Sequence, residues 1–116
     1  MLALPLLSAV LLTAPPVRFE RHEIDVYPGG YQVAVGDVNG DGRPDVVALS
    51  TDANRVDWYE NPTWKRRLVT KVDKPIDLAL HDLDGDGRTE IALASGFYFR
   101  ETKRGGELSW LKARGN

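Results

Sequence analysis

Two nine-residue stretches hold the side chains best placed to do chemistry: Asp37-Val-Asn-Gly-Asp-Gly-Arg-Pro-Asp45 and Asp82-Leu-Asp-Gly-Asp-Gly-Arg-Thr-Glu90. In each, oxygen-bearing side chains stand at positions 1, 3, 5 and 9. These are Asp37, Asn39, Asp41 and Asp45 in the first stretch, and Asp82, Asp84, Asp86 and Glu90 in the second. Position 6 is glycine (Gly42, Gly87), which permits a sharp turn, and position 7 (Arg43, Arg88) can offer its backbone carbonyl rather than its side chain. Alternate oxygens turned toward one centre are how a chain wraps a hard cation. Roughly five oxygens from a flexible loop suit calcium, which accepts about six to eight; magnesium keeps most of its waters, and zinc prefers nitrogen and sulfur. Without a cation each loop crowds three or four acidic groups together. An ordinary Asp-Gly turn explains one such stretch but not two in register, so about two calcium ions per chain are expected.

The loops begin like EF-hands but lack the bidentate glutamate at position 12, where Ala48 and Leu93 stand. Their flanks, Val46-Val-Ala-Leu49 and Ile91-Ala-Leu-Ala94, are short apolar runs that read as strands rather than helices. Each loop therefore joins two strands. Around the loops the chain is a tandem repeat. A shift of 45 residues carries Asp37 onto Asp82, Phe19-Glu-Arg-His-Glu-Ile24 onto Trp64-Lys-Arg-Arg-Leu-Val69, and Tyr31-Gln-Val-Ala-Val35 onto Ile76-Asp-Leu-Ala-Leu80. Val56-Asp-Trp58 matches Leu108-Ser-Trp110 at a shift of 52, which places a seven-residue insertion around Phe97–Arg104. The repeats run 19–63 and 64–115. Strands are expected at 19–25, 31–36, 45–50 and 55–60, and again at 64–70, 75–81, 90–95 and 107–112. The strands beside each loop are apolar on both faces, as in a sheet packed between two neighbours. The expected fold is all-β: two four-stranded antiparallel blades of a β-propeller, a partial propeller behind a signal-like N-terminal segment.

The repeat resembles the FG-GAP/VCBS family, the blade of integrin-α-like β-propellers. The resemblance covers about 19–115 and rests on the D-x-[DN]-x-D-G-x-x-[DE] loop, with the Trp58-Tyr-Glu-Asn-Pro62 and Trp64 stretch. The latter is similar to VCBS repeats of bacterial secreted proteins, including the propeller part of aldos-2-ulose dehydratase-like proteins. The resemblance implies calcium on Asp37, Asn39, Asp41, the Arg43 carbonyl and Asp45, and on Asp82, Asp84, Asp86, the Arg88 carbonyl and Glu90. The Phe-Gly and Gly-Ala-Pro pieces of integrin repeats are missing, so an adhesion-receptor role does not follow. Family propellers usually have about seven blades, whereas this chain supplies two.

The 116 residues carry a formal net charge of −2, unevenly spread: the two loops hold seven of the 17 acidic residues. No basic stripe interleaves with aromatics, which argues against nucleic acid. The absence of cysteine excludes disulfides and thiolate chemistry. Residues 1–17 lack a charged side chain and centre on Leu2-Ala-Leu-Pro-Leu-Leu-Ser-Ala-Val-Leu-Leu-Thr-Ala14, too short to span a bilayer but suited to a secretory signal. A secreted, periplasmic or extracellular product is expected, where weak calcium sites fill. Trp58 and Trp110 share a repeat position, as blade-packing residues would, rather than a sugar-stacking pair. His22 and His81 are the only histidines, too few for an acid–base constellation. The favoured function is a non-catalytic, calcium-binding module with a structural or partner-binding role, a piece of or subunit for a larger propeller, its partner a protein or carbohydrate. The alternative is part of a carbohydrate-active lyase or dehydratase. Two blades should leave apolar outer faces uncovered, built from Val33, Val35, Val46, Ile91 and Leu93, and self-association would cover them.

Overall fold

The computed structural model describes Met1 and residues 13–115. The signal-like run falls mostly on 2–12, outside the described residues. Seven strands form two antiparallel sheets. β1 (Gly30–Gly36), β2 (Asp45–Ser50), β3 (Arg55–Glu60) and β4 (Lys65–Lys71) make the first, in that order. β5 (Asp77–His81), β6 (Glu90–Ser95) and β7 (Glu107–Leu111) make the second. The insertion forms a surface excursion with one 3₁₀ turn at Thr102–Arg104. The architecture is all-β and open, as the repeat led us to expect of a partial propeller.

The strand expected at 64–70 closes the first sheet instead of opening the second, pairing along β3 from Arg55↔Lys71 to Glu60↔Lys65. Sheet and sequence repeat are thus out of phase by one strand. The corresponding segment, 19–25, is exposed and not in a strand. Backbone N–H and C=O groups form a strand only when a neighbour satisfies them, and among the described residues this segment has no such neighbour.

Register divides the side chains into faces. On the first sheet Ala34, Val47, Leu49, Val56 and Trp58 share one face, and Val33, Val35, Val46, Ala48 and Tyr59 the other. On the second, Leu78, Leu80, Ile91, Leu93 and Leu111 share one face. The core lies where the first and third of these sets meet. Val47, Leu49 and Val56 are wholly buried, joined by Val38, Leu78, Ile91 and Leu93, with Trp58 and Leu111 at the margin. Ile91 and Leu93, expected on an uncovered outer face, are therefore interior. Leaving such side chains in water costs about 2 kcal/mol each, so their burial holds the two blades together on this face. Val33 and Val35 remain 63% and 64% exposed, as expected of an outer face.

The blades are also tied by polar contacts. Gln32 on β1 accepts the Leu78 N–H (2.5 Å) and donates to the Leu78 carbonyl (3.2 Å). Thr51 donates to the Pro75 carbonyl at 2.7 Å from a buried position, fastening the segment between blades. Gly36 lets the second blade approach closely, because a Cβ there would stand 3.1 Å from Leu80 Cδ1.

Candidate metal centre

Both acidic loops connect adjacent antiparallel strands at the same end of each blade, β1 to β2 and β5 to β6. Their backbone-donated internal hydrogen bonds match one for one. Asp37 accepts the N–H groups of Gly40 (2.8 Å), Asp41 (3.1 Å) and Gly42 (2.8 Å). Asp82 accepts those of Gly85, Asp86 and Gly87 at the same three distances. Asn39 and Asp84 each accept the N–H two residues on, at 3.2 Å. Asp41 and Asp86 do likewise toward Arg43 and Arg88 at 2.9 Å. The turn that aims these N–H groups inward needs left-handed backbone at position 6, and Gly42 (φ +83°) and Gly87 (φ +85°) supply it.

Position 9 is the buried anchor of each loop. Asp45 is fully buried and accepts from Val38 N (3.0 Å) and Asn61 N (2.9 Å), so both its oxygens are engaged. Glu90 is equally buried, and its Oε2 accepts the Leu83 N–H at 2.7 Å. Its Oε1 has no hydrogen-bond partner. A buried carboxylate oxygen left without a donor is costly, and a bound cation would remove that cost. Asp82, Asp84, Asp86 and Glu90 can each bring one oxygen within 4.8 Å of the others, the only such group among the described residues. Their all-oxygen chemistry fits a hard divalent ion. Asp37, Asp41 and Asp45 do not gather this tightly. Arg43 and Arg88 keep exposed side chains, the Arg43 guanidinium lying 3.8 Å from Asp41.

The two centres differ in one neighbour that sequence reasoning missed. In the second, the Lys112 ammonium bonds Asp84 and lies 2.5 Å from Asp86 and 3.9 Å from Glu90 Oε1. Those hydrogen bonds, to Asp84 first and then Asp86, raise the lysine's pKa. The lysine in turn is the chief cause of a lowered Asp86 pKa. In the first centre the corresponding residue is Glu60, which accepts from Asn39 Nδ2 at 3.2 Å and is held by Arg67 at 2.7 Å. Carrying the 52-residue shift two positions past Trp58 and Trp110 pairs Glu60 with Lys112, the signal that could have found them.

The remaining candidates do not converge on a site. Trp58 packs on the core beneath the Arg67 guanidinium, 5.6 Å from its ring centre, whereas Trp110 is 54% exposed. His81 and His22 are exposed on different parts of the chain. A third buried carboxylate, Asp57, receives the Tyr27 hydroxyl at 2.7 Å and the Arg55 guanidinium, an arrangement that fastens β3 to the segment before β1.

Two blade-like sheets, each with the same acidic loop between its first two strands, define a β-propeller-type repeat module. Residues 37–93 match a family model described as an FG-GAP-like repeat, a span that contains both loops, and over it the chain is a member of the FG-GAP repeat family. No curated protein and no solved structure matches the chain.

Proposed function

We propose that the chain is a calcium-stabilised β-propeller module that works outside the cytoplasm as a structural or partner-binding part of a larger propeller. Asp37, Asn39, Asp41, the Arg43 carbonyl and Asp45 would hold one ion. Asp82, Asp84, Asp86, the Arg88 carbonyl and Glu90 would hold the other. The observation that carries this reading is the buried Glu90 Oε1, which receives no hydrogen bond, within a four-oxygen cluster. Bound calcium supplies positive charge that offsets the repulsion among the loop carboxylates, so binding and folding are coupled. The chain's own contribution is the backbone N–H groups that fix the Asp37 and Asp82 carboxylates at the head of each loop. The uncharged run at 1–17 supports export, and millimolar extracellular calcium would fill such loops.

Titration calorimetry with calcium should show about two sites, with Kd on the order of 10⁻⁴–10⁻³ M, the range of extracellular modules. An Asp41→Ala, Asp86→Ala double variant should lose both. Undiminished binding by that variant would remove the ligand assignment.

A further inference from the structure

The two blades are related by the sequence repeat, so their faces correspond residue by residue. The 45- and 52-residue shifts carry Val33, Val35, Val46, Ala48 and Tyr59 onto Leu78, Leu80, Ile91, Leu93 and Leu111. The first set is the outward face of the first blade, free at Val33 and Val35 and covered at Ala48 and Tyr59 by Asp25 and Tyr27 of the chain's own preceding segment, and the second is the face the other blade buries. The same shifts carry Ala34, Val47, Leu49, Val56 and Trp58, the buried face of the first blade, onto Ala79, Ala92, Ala94, Leu108 and Trp110. That last set is the free face of the second blade, where Leu108 is 90% and Trp110 54% exposed. Each free face is therefore the counterpart of one half of the contact already formed inside the chain. The two are complementary to each other and not to themselves.

The open edge shows the same relation. Among the described residues β7 has no partner on its outer side, whereas its counterpart β3 is covered by β4. The segment equivalent to β4 is 20–26, exposed and in no strand. Transferring the observed β3–β4 register sets Glu107 opposite Val26, Trp110 opposite His22, and Lys112 opposite Glu20. The original pair at that last position is Glu60 with Lys65, so the charges are exchanged end for end and stay complementary. Volumes compensate as well. Ala92 and Ala94 are smaller than Val47 and Leu49, while Tyr27 and Tyr59 are larger than their counterparts Val72 and Leu111. His81 replaces Gly36, and Val35 replaces the Leu80 that Gly36 admits.

We propose that the chain associates head to tail with copies of itself. The free face of β5–β7 in one copy packs on the free face of β1–β4 in the next, and residues 20–26 of that next copy add to β7 as a fourth strand. Such a heterologous contact, repeating the internal blade-to-blade step, leads to a ring. Closed propellers have about four to eight blades, so a ring would hold about two to four copies.

Light scattering after size-exclusion of the full chain should give a mass of about two to four copies. Val35→Asp and Leu108→Asp each spoil one of the two faces at an exposed position, and each should run as a monomer. Mixed one to one, they retain one intact pair of faces and should form a dimer that grows no further. An Arg21→Pro, His22→Pro variant changes two exposed residues that, among the described residues, pair with no strand in the single copy. It should keep the wild-type circular dichroism and lose association at least tenfold, since adjacent N–H groups point to opposite sides and one of the two must face β7. This variant decides the matter if either aspartate variant fails to fold. A wild-type monomer at every concentration, a mixture that stays monomeric while both variants are folded, or a proline variant that assembles like the wild type would each overturn the proposal.

Discussion

Lys112 is the side chain by which the two acidic loops differ most. An ammonium among Asp84, Asp86 and Glu90 already supplies part of what a cation would supply, so an ion entering the second loop must displace it. Lys112→Ala should therefore tighten one of two calcium sites severalfold and leave the other unchanged in calorimetry; weakened binding would mean the lysine helps to hold the ion's ligands. Tyr27 gives a second residue-level expectation. Burial first, and then its hydrogen bond to Asp57, raise its pKa above the ordinary 10.0. The unfolded chain can ionise this phenol once pH passes 10, while the folded chain resists doing so. The corresponding stability is complete below that pH and is lost as pH rises beyond it. Urea midpoints should fall above pH 10, and Tyr27→Phe should make the fall shallower; an equally steep fall in the variant would place the titrating group elsewhere.

At the scale of elements, the strands carry the fold through the residues of β2 and β6 buried where the two blades meet. Leu49→Ala, at a wholly buried position facing the second blade, should cost about 2–5 kcal/mol in denaturant unfolding. Val33→Ala, on the free face, should cost much less in the single copy. In the loops, Gly42→Ala meets no atom within 4 Å, so its cost of about 1–2 kcal/mol would come from backbone conformation alone. These elements were largely legible in the sequence, because runs such as Val46–Leu49 and Ile91–Ala94 have strand length and no helical spacing, and the Asp-x-Asn/Asp-x-Asp-Gly pattern fixes the loops between them. What was not legible was which sheet a strand joins. The segments at 64–70 and 19–25 have matching patterns, yet only the first finds a partner strand, β3, and a pattern carries no information about what will satisfy its backbone. The same limit hid the burial of Ile91 and Leu93, since a face reads as apolar whether or not a neighbour covers it. The Lys112 contact was obscured because it lies 22 residues past Glu90, beyond the inserted stretch.

For the whole molecule, two blades share one core while Val33 and Val35 on one outward face and Leu108 and Trp110 on the other stay exposed, so the stability of a single copy rests on few buried side chains. Calcium should then weigh heavily. With Kd on the order of 10⁻⁴–10⁻³ M, about 10 mM calcium would stabilise each site by roughly 1.4–2.7 kcal/mol. In a domain of this size two such sites should raise Tm by at least about 10 °C. The most direct measurement is the thermal unfolding of the full chain in about 10 mM calcium and in excess chelator, beside the Asp41→Ala, Asp86→Ala variant. A Tm higher by that margin in calcium, with the gain absent from the variant, is the predicted result. Coincident curves for the wild type with and without calcium would contradict the account of these loops as calcium sites that hold the blades together.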